Sequence, residues 1–194
     1  MRGLSLDVGG TLIVPAEPVE DVYRRLGEPF GVGAVDFRVE APGLTQSGDG
    51  RPFWREVVRR STGCADLDYF EQLYAHYARP EAWTVRPGAR ELLDAWRYSA
   101  IVSNWDTRLR QLLWDLGLDA GVILISGELG VEKPDRRIFM KVCHHLGLEP
   151  GDVTHVGDSL RDDVEGARAA GFKALHWGTD VSSFAELGAM LSAC

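Results

Sequence analysis

Ala100-Ile101-Val102-Ser103-Asn104-Trp105-Asp106-Thr107-Arg108-Leu109 carries a strand, a polar turn and the start of a helix in one short stretch. Ala100-Ile101-Val102 is apolar without alternation, as a strand covered on both faces must be. Leu109, Leu112, Leu113 and Leu116 then recur at helical spacing, with Asp106 and Thr107 able to cap the first turn and Gly117 to stop the last. Similar units extend outward in both directions. Pro87-Gly88 opens a helix whose apolar positions are Ala89, Leu92, Leu93 and Trp96. Val122 to Ile125 reads as a strand, Pro134 to Leu146 as a helix ended by Gly147, and Val153 to Val156 as the next strand. Leu160 to Ala170 reads as a helix closed by Gly171, Phe172 to Trp177 as a last strand and Ser183 to Ser192 as a final helix, while Leu4 to Leu6 supplies the first strand. Parallel strands need crossovers, so this alternation predicts an α/β fold: a Rossmann-like, doubly wound parallel sheet with helices on both faces.

Between Leu6 and Arg86 the alternation lapses. Helical patterns occupy Val19 to Leu26, Phe53 to Arg60 and Leu67 to Tyr77, with no convincing strand among them, and Gly43 to Gly50 forms a glycine-rich loop. At 194 residues, with 45% hydrophobic and 26% charged residues, the chain suits one globular domain carrying a modest insertion. The first strand begins almost at Met1 and no run approaches the roughly eighteen apolar residues of a membrane span. We therefore expect neither signal peptide nor transmembrane helix, and a cytoplasmic location. Cys64, Cys143 and Cys194 lack metal-ligand or redox spacing and read as reduced structural thiols, with no zinc site implied. A net charge of -8 argues against nucleic acid and anionic membranes as partners, because both recruit basic surface. Nothing in the sequence points to an oligomeric state.

The strand ends carry the chemistry. Asp7-Val8-Gly9-Gly10-Thr11 follows the first strand, Ser103-Asn104 a later one, and Gly157-Asp158-Ser159 with Asp162-Asp163 another, whereas Lys133-Pro134 sits just before a helix. In an open doubly wound sheet the carboxyl ends of the strands line the ligand crevice, so these four stretches should converge. Each residue also has a plainer use taken singly: Asp7 in an Asx-turn, Ser103 in a turn, Lys133 as a solvated cation, Asp162 and Asp163 as favourable charges in a first helical turn. For Asp162 we adopt that plainer use. An unpaired carboxylate at the end of a buried strand, as Asp7 would be, calls for a metal or hydrogen bonds to compensate it.

In this order the four stretches resemble the haloacid dehalogenase-like hydrolase superfamily, most of whose members are magnesium-dependent phosphatases. The nearest branch has a second motif that runs Ser-Asn-aromatic-Asp into a helix. The resemblance spans nearly the whole chain and implies hydrolysis of a small phosphorylated metabolite through an aspartyl-phosphate. It makes Asp7 the nucleophile and a magnesium ligand, with the Gly9 carbonyl and Asp158 completing a set of hard oxygen ligands. Gly10 and Thr11 would turn the backbone beneath Asp7 and donate amides to the phosphate. Ser103, helped by the Asn104 amide, would bind a phosphoryl oxygen, and Lys133 would neutralise the nucleophile and phosphoryl group, staying charged beside two carboxylates. Asp163 would orient Lys133 or a metal-bound water. A small helical cap is implied after the first strand, at 15–83, leaving 1–14 and 84–194 as the catalytic core.

Gly9 departs from the pattern. Most phosphatases of the family carry a second Asp two residues after the nucleophile, whose carboxyl protonates the leaving group. Glycine keeps the carbonyl but removes an acid worth roughly 10²- to 10⁴-fold in rate, about 3 to 5 kcal/mol of barrier. Substrates with good leaving groups suffer least. Asp106, His76, Asp68 and Glu71 are candidate replacements, Asp106 competing with an N-cap role, and the sequence does not choose among them. Phosphonate-cleaving relatives use a cap lysine, yet 15–83 contains none; the metal-independent dehalogenases lack the motif that Gly157-Asp158-Ser159 supplies here. A catalytically weak or inactive binding module keeping the fold is the alternative that Gly9 leaves open.

Overall fold

A computed structural model describes residues 2–38 and 46–193. Residues 43–45 of the glycine-rich loop, and Cys194, lie outside them. Five parallel strands, β1 (Gly3–Leu6), β4 (Ser99–Ser103), β5 (Val122–Ile125), β6 (Val153–Gly157) and β7 (Lys173–His176), form one sheet in the order β5-β4-β1-β6-β7. The two remaining strands, β2 (Ile13–Pro15) and β3 (Trp83–Val85), make a separate antiparallel ribbon. No strand was expected between Leu6 and Arg86. Each is only three residues long, too short for its period to show, and each is specified by its partner about seventy positions away.

Side chains of the central strand alternate between two cores, as the two-residue period of a strand requires. Leu4 and Leu6 join Ile101 and Val156 in one cluster, covered by α4 (Ala89–Ala95), α5 (Leu109–Asp115) and α9 (Phe184–Ala193). Ala100, Val102 and Val153 enter the other, under α7 (Arg136–Leu146) and α8 (Gly166–Ala169). A short helix, α6 (Ser126–Leu129), follows β5 directly. Instead of one helix over Leu160 to Ala170, a π-helical turn at Leu160–Glu165 leads into α8.

Helices α1 (Val19–Gly27), α2 (Arg51–Thr62) and α3 (Leu67–His76) lie between β2 and β3 and hold a core of their own around Tyr23, Val58, Tyr69 and Leu73. Tyr69 is fully buried and its hydroxyl donates to the Tyr23 carbonyl at 2.8 Å. The chain leaves the sheet for this helical unit and returns through the β2–β3 ribbon, extended by bonds from Ala16 N to Ala82 O at 2.8 Å and from Arg86 N to Leu12 O at 2.9 Å. Among the described residues no helix is long and apolar enough to cross a membrane.

The strand order sets the position of the site. After β1 the chain builds β4 and β5 on one side, then crosses to build β6 and β7 on the other. The carboxyl end of β1 is thus the point where the winding reverses, where the crevice of an open sheet lies.

Candidate active site

Asp7 stands at that reversal point, one residue past β1, with its amide bonded to Val156 O at 2.9 Å. Ser103 ends the neighbouring β4 and Asp158 follows β6 on the other side. Lys133 arrives from the loop before α7. Its ammonium donates to Asp7 Oδ1 at 2.6 Å and to Asp163 Oδ1 at 2.5 Å, and it is only 4% exposed. The four stretches therefore meet, and Asp7, Gly9, Ser103, Asn104, Lys133, Asp158 and Asp163 all border one cavity of about 320 Å³.

Lys133 is placed by its backbone as well as its charges. Asn104 accepts from the Lys133 amide at 2.7 Å and donates to the Lys133 carbonyl at 2.8 Å. The Asn104 side chain is thus committed to holding Lys133, and only its backbone remains for the phosphate role expected of it. Asp163 receives Lys133 on one oxygen and the Ser159 amide on the other at 3.0 Å. It therefore contacts the lysine directly, as one of the two roles left open by the sequence requires.

Behind Asp163 lies a polar pair that sequence reading missed. His155 Nε2 sits 3.1 Å from Asp163 Oδ1, and its Nδ1 is 2.9 Å from Ser5 Oγ. Both residues are fully buried within strands. The available signal was a polar residue inside each apolar run, Leu4-Ser5-Leu6 and Val153-Thr154-His155-Val156, because buried polar groups are kept where partners satisfy them.

Electrostatics follow from burial and from this one lysine. Burial pushes the Asp7 carboxyl up, opposed by the Lys133 ammonium. Asp163 also feels burial acting upward, but the His155 hydrogen bond and the Lys133 charge outweigh it and hold the carboxyl below the usual carboxylate range. Burial acts to lower Lys133, yet Asp7 and Asp163 together raise it, so it is charged at neutral pH. Asp158 is raised by burial and by the nearby Asp163 charge. Asp7, Asp158 and Asp163 offer carboxylate oxygens within 4.8 Å of one another, three acids with a single ammonium between two of them. That surplus of negative oxygen suits a hard divalent cation.

Two expected phosphate ligands have other work. The Gly10 amide bonds to Ile13 O at 2.9 Å and the Thr11 amide to Val8 O at 3.3 Å, and neither residue borders the cavity. Gly10 has a φ of 76°, and a Cβ there would lie 2.2 Å from Asp158 Oδ2. Only glycine permits both that turn and the approach of the acid. Gly9 does not share the positive φ; a Cβ on it would meet Trp105 Cζ3 at 3.3 Å.

Asp106 Oδ1 accepts the Arg108 backbone N–H at 3.0 Å, in the turn that leads into the helix. Helix α5 begins later, at Leu109. Asp106 is fully buried, accepts from Trp54 Nε1 at 2.7 Å, and is paired with Arg108 at 2.7 Å. It joins α2 to the β4 loop and has no place on the cavity wall. His76, Asp68 and Glu71 border a different hollow, shared with Arg25 and Arg79. The acids' own cavity is instead bordered by aromatic rings, Trp54, Phe70, Tyr74, Tyr77, Trp83 and Trp105 among them. None of these rings could be assigned from sequence, because their convergence depends on how the helical unit seats.

Comparison with known proteins follows the same lines. A family model described as a haloacid dehalogenase-like hydrolase matches residues 1–171. The haloacid dehalogenase-like hydrolase domain-containing protein 3 of Mus musculus is 33% identical over 199 residues, spanning 88% of this chain and 79% of that protein. The N-acylneuraminate-9-phosphatase of Rattus norvegicus is 46% identical over 135 residues, 64% of this chain and 54% of its own. A solved structure described as a predicted phosphoglycolate phosphatase from Haemophilus somnus 129pt shares the fold, with a TM-score of 0.72 at 18% identity over 98% of both chains.

Proposed function

The chain belongs to the haloacid dehalogenase-like hydrolase family, and on that premise we propose that it is a magnesium-dependent phosphatase using Asp7 as nucleophile on a small phosphorylated metabolite. The observation that carries this reading is the convergence of Asp7, Ser103, Lys133, Asp158 and Asp163, from distant parts of the chain, on one cavity at the switch point of the sheet.

Asp7 Oδ1 is held by Lys133 Nζ, which fixes the carboxylate and leaves Oδ2 to attack phosphorus. As the new bond forms, the P–O bond to the leaving alcohol breaks and gives an aspartyl-phosphate, which water then cleaves to release inorganic phosphate and return Asp7. Lys133 offsets the charge that three phosphoryl oxygens bring next to a carboxylate, and Ser103 faces them from β4. Asp163, itself held by His155 and the Ser159 amide, keeps the lysine in place. Asp7, Asp158 and the Gly9 carbonyl would hold the cation. When bound, magnesium supplies charge neutralisation and orientation of the phosphate. The helices between β2 and β3 act in this reading as a cap over residues 15–83, and their side chains set substrate range.

Phosphate release from a panel of phosphorylated metabolites, with and without magnesium, tests the proposal. Asp7→Asn and Asp158→Ala should each abolish metal-dependent turnover. Undiminished activity in EDTA would sink the metal assignment. The alternative, a binding module without turnover, is favoured by Gly9 and the Trp105 ring against it. It predicts no Asp7-dependent phosphate release from any ester.

A further inference from the structure

We propose that the ester this site cleaves is an aryl phosphate, a phosphomonoester whose leaving group is a phenol. The inference rests on the phosphatase reading above and concerns only which phosphate esters it serves. Two independent features of the cavity lead to it.

The first is the missing acid at position 9, where most phosphatases of the family carry the carboxyl that protonates the leaving oxygen. Position 9 is glycine, and the space a side chain would enter is closed by Trp105, 3.3 Å from a Cβ built there. The four groups that might have stood in are elsewhere: Asp106 is locked between Trp54 and Arg108, while His76, Asp68 and Glu71 face another hollow. Asp162 does border the cavity, but it also lines a second hollow shared with Glu132 and Arg161. An alkoxide leaves poorly without a proton. A phenolate leaves readily, because the ring delocalises its charge.

The second is the wall that would receive the leaving group. Arg108 is its cation, yet the guanidinium is already spent: two nitrogens on Asp106, at 2.9 and 2.7 Å, and the third on the Tyr74 carbonyl at 2.7 Å. Its flat face lies over the Tyr74 ring, 3.5 Å from the centroid. Among the described residues, Gln46 Oε1 and Tyr77 OH are buried on this cavity without a hydrogen-bond partner, but neither carries a positive charge to meet a carboxylated leaving group. A flat ring would find Trp83 and Trp105, packed edge-to-face at 5.1 Å, and Trp54 on the same cavity. Aromatic contacts of this kind contribute about 0.5–1.5 kcal/mol each beyond the area they bury.

The chemistry balances without an acid. The Asp7 carboxylate forms the new P–O bond as the P–O bond to the ring breaks, and the electron pair departs on the phenolate. Solvent protonates the phenolate after it leaves. Water then attacks phosphorus, the Asp7–phosphate bond breaks, and inorganic phosphate is released.

The test compares kcat/KM for phenyl, benzyl, ethyl and hexose phosphates in the full chain with magnesium. Benzyl phosphate keeps the ring but loses the acidic leaving oxygen. We expect phenyl phosphate to exceed ethyl and hexose phosphates by about 100-fold or more, the scale of a missing acid. Benzyl phosphate should show a low KM with a low kcat. Trp105→Leu and Trp54→Leu should each raise the KM for phenyl phosphate about tenfold relative to the KM for ethyl phosphate. Two variants are used so that a folding failure in one leaves the other to decide. Ethyl or hexose phosphate turned over within tenfold of phenyl phosphate would overturn the inference, as would an unmoved KM ratio in a folded tryptophan variant. Failure to release phosphate from any ester, 4-nitrophenyl phosphate included, would instead remove the phosphatase reading on which the inference stands.

Discussion

Replacing Gly9 by Asp installs the absent acid, and the structure sets both its benefit and its cost. The backbone at Gly9 does not have the positive φ found at Gly10, so an L-residue is admissible there. The new Cβ would lie 3.3 Å from Trp105 Cζ3 and 4.0 Å from Cε3, which asks the indole to move by a few tenths of an ångström. Overpacking of this sort costs about 1–3 kcal/mol of stability. At about 2–4 °C per kcal/mol for a domain of this size, Tm should fall by several degrees. Against that, a positioned acid is worth roughly 10²- to 10⁴-fold in rate, or about 3 to 5 kcal/mol of barrier. The gain should fall on ethyl phosphate, whose alkoxide needs a proton, while 4-nitrophenyl phosphate gains less than about tenfold. Steady-state kcat on the two esters, with a melting curve for each protein, measures this. Adding Trp105→Phe should recover part of the lost Tm by making room. A folded, magnesium-binding Gly9→Asp protein whose ethyl-to-nitrophenyl rate ratio is unchanged would refute the claim that the site is limited by the acid missing at position 9.

Other perturbations follow from the same geometry. Lys133→Met leaves Asp7 and Asp163 buried without their shared cation, so stability should fall by about 3–5 kcal/mol in a urea titration and turnover should vanish. Asp163 has a folded-state pKa depressed below its unfolded value of about 3.9, so its contribution is full above that pH and is lost as pH falls through the folded value. The stability gap between wild type and Asp163→Asn should therefore be widest near neutrality and close toward pH 2, whereas a pH-independent gap would contradict the assignment. Trp54→Phe removes the indole that donates to Asp106, a bond of 2.7 Å to a buried carboxylate. Losing a hydrogen bond to a charged group costs about 1.5–3 kcal/mol, and faster amide exchange along α2 than along the sheet would show that it ties the helical unit to the core.

The sequence alone was enough for the parallel sheet and for which polar residues stand at the ends of its strands. Strands buried on both faces leave long apolar runs, and their crossover helices keep a 3.6-residue period, so β4, α5, β5, α7 and β6 can each be read from their own residues. The polar groups that end them, Asp7, Ser103 and Asp158, are forced together by the winding of such a sheet once the strands are recognised. The boundaries that slipped are those governed by contacts distant in sequence: β2 and β3 exist only through each other, and Asp106 gains the Trp54 indole of α2 as a partner that its own neighbourhood does not announce. Tertiary structure alone decided the Asn104 clamp on Lys133, the Ser5–His155 support behind Asp163 and the commitment of the Gly10 and Thr11 amides to their own turn. It alone decided, too, that aromatic rings close the cavity where an acid would stand. Local patterns report how a segment satisfies its own backbone and which face it buries; which side chain meets which across the cavity depends on the seating of one folded unit against another.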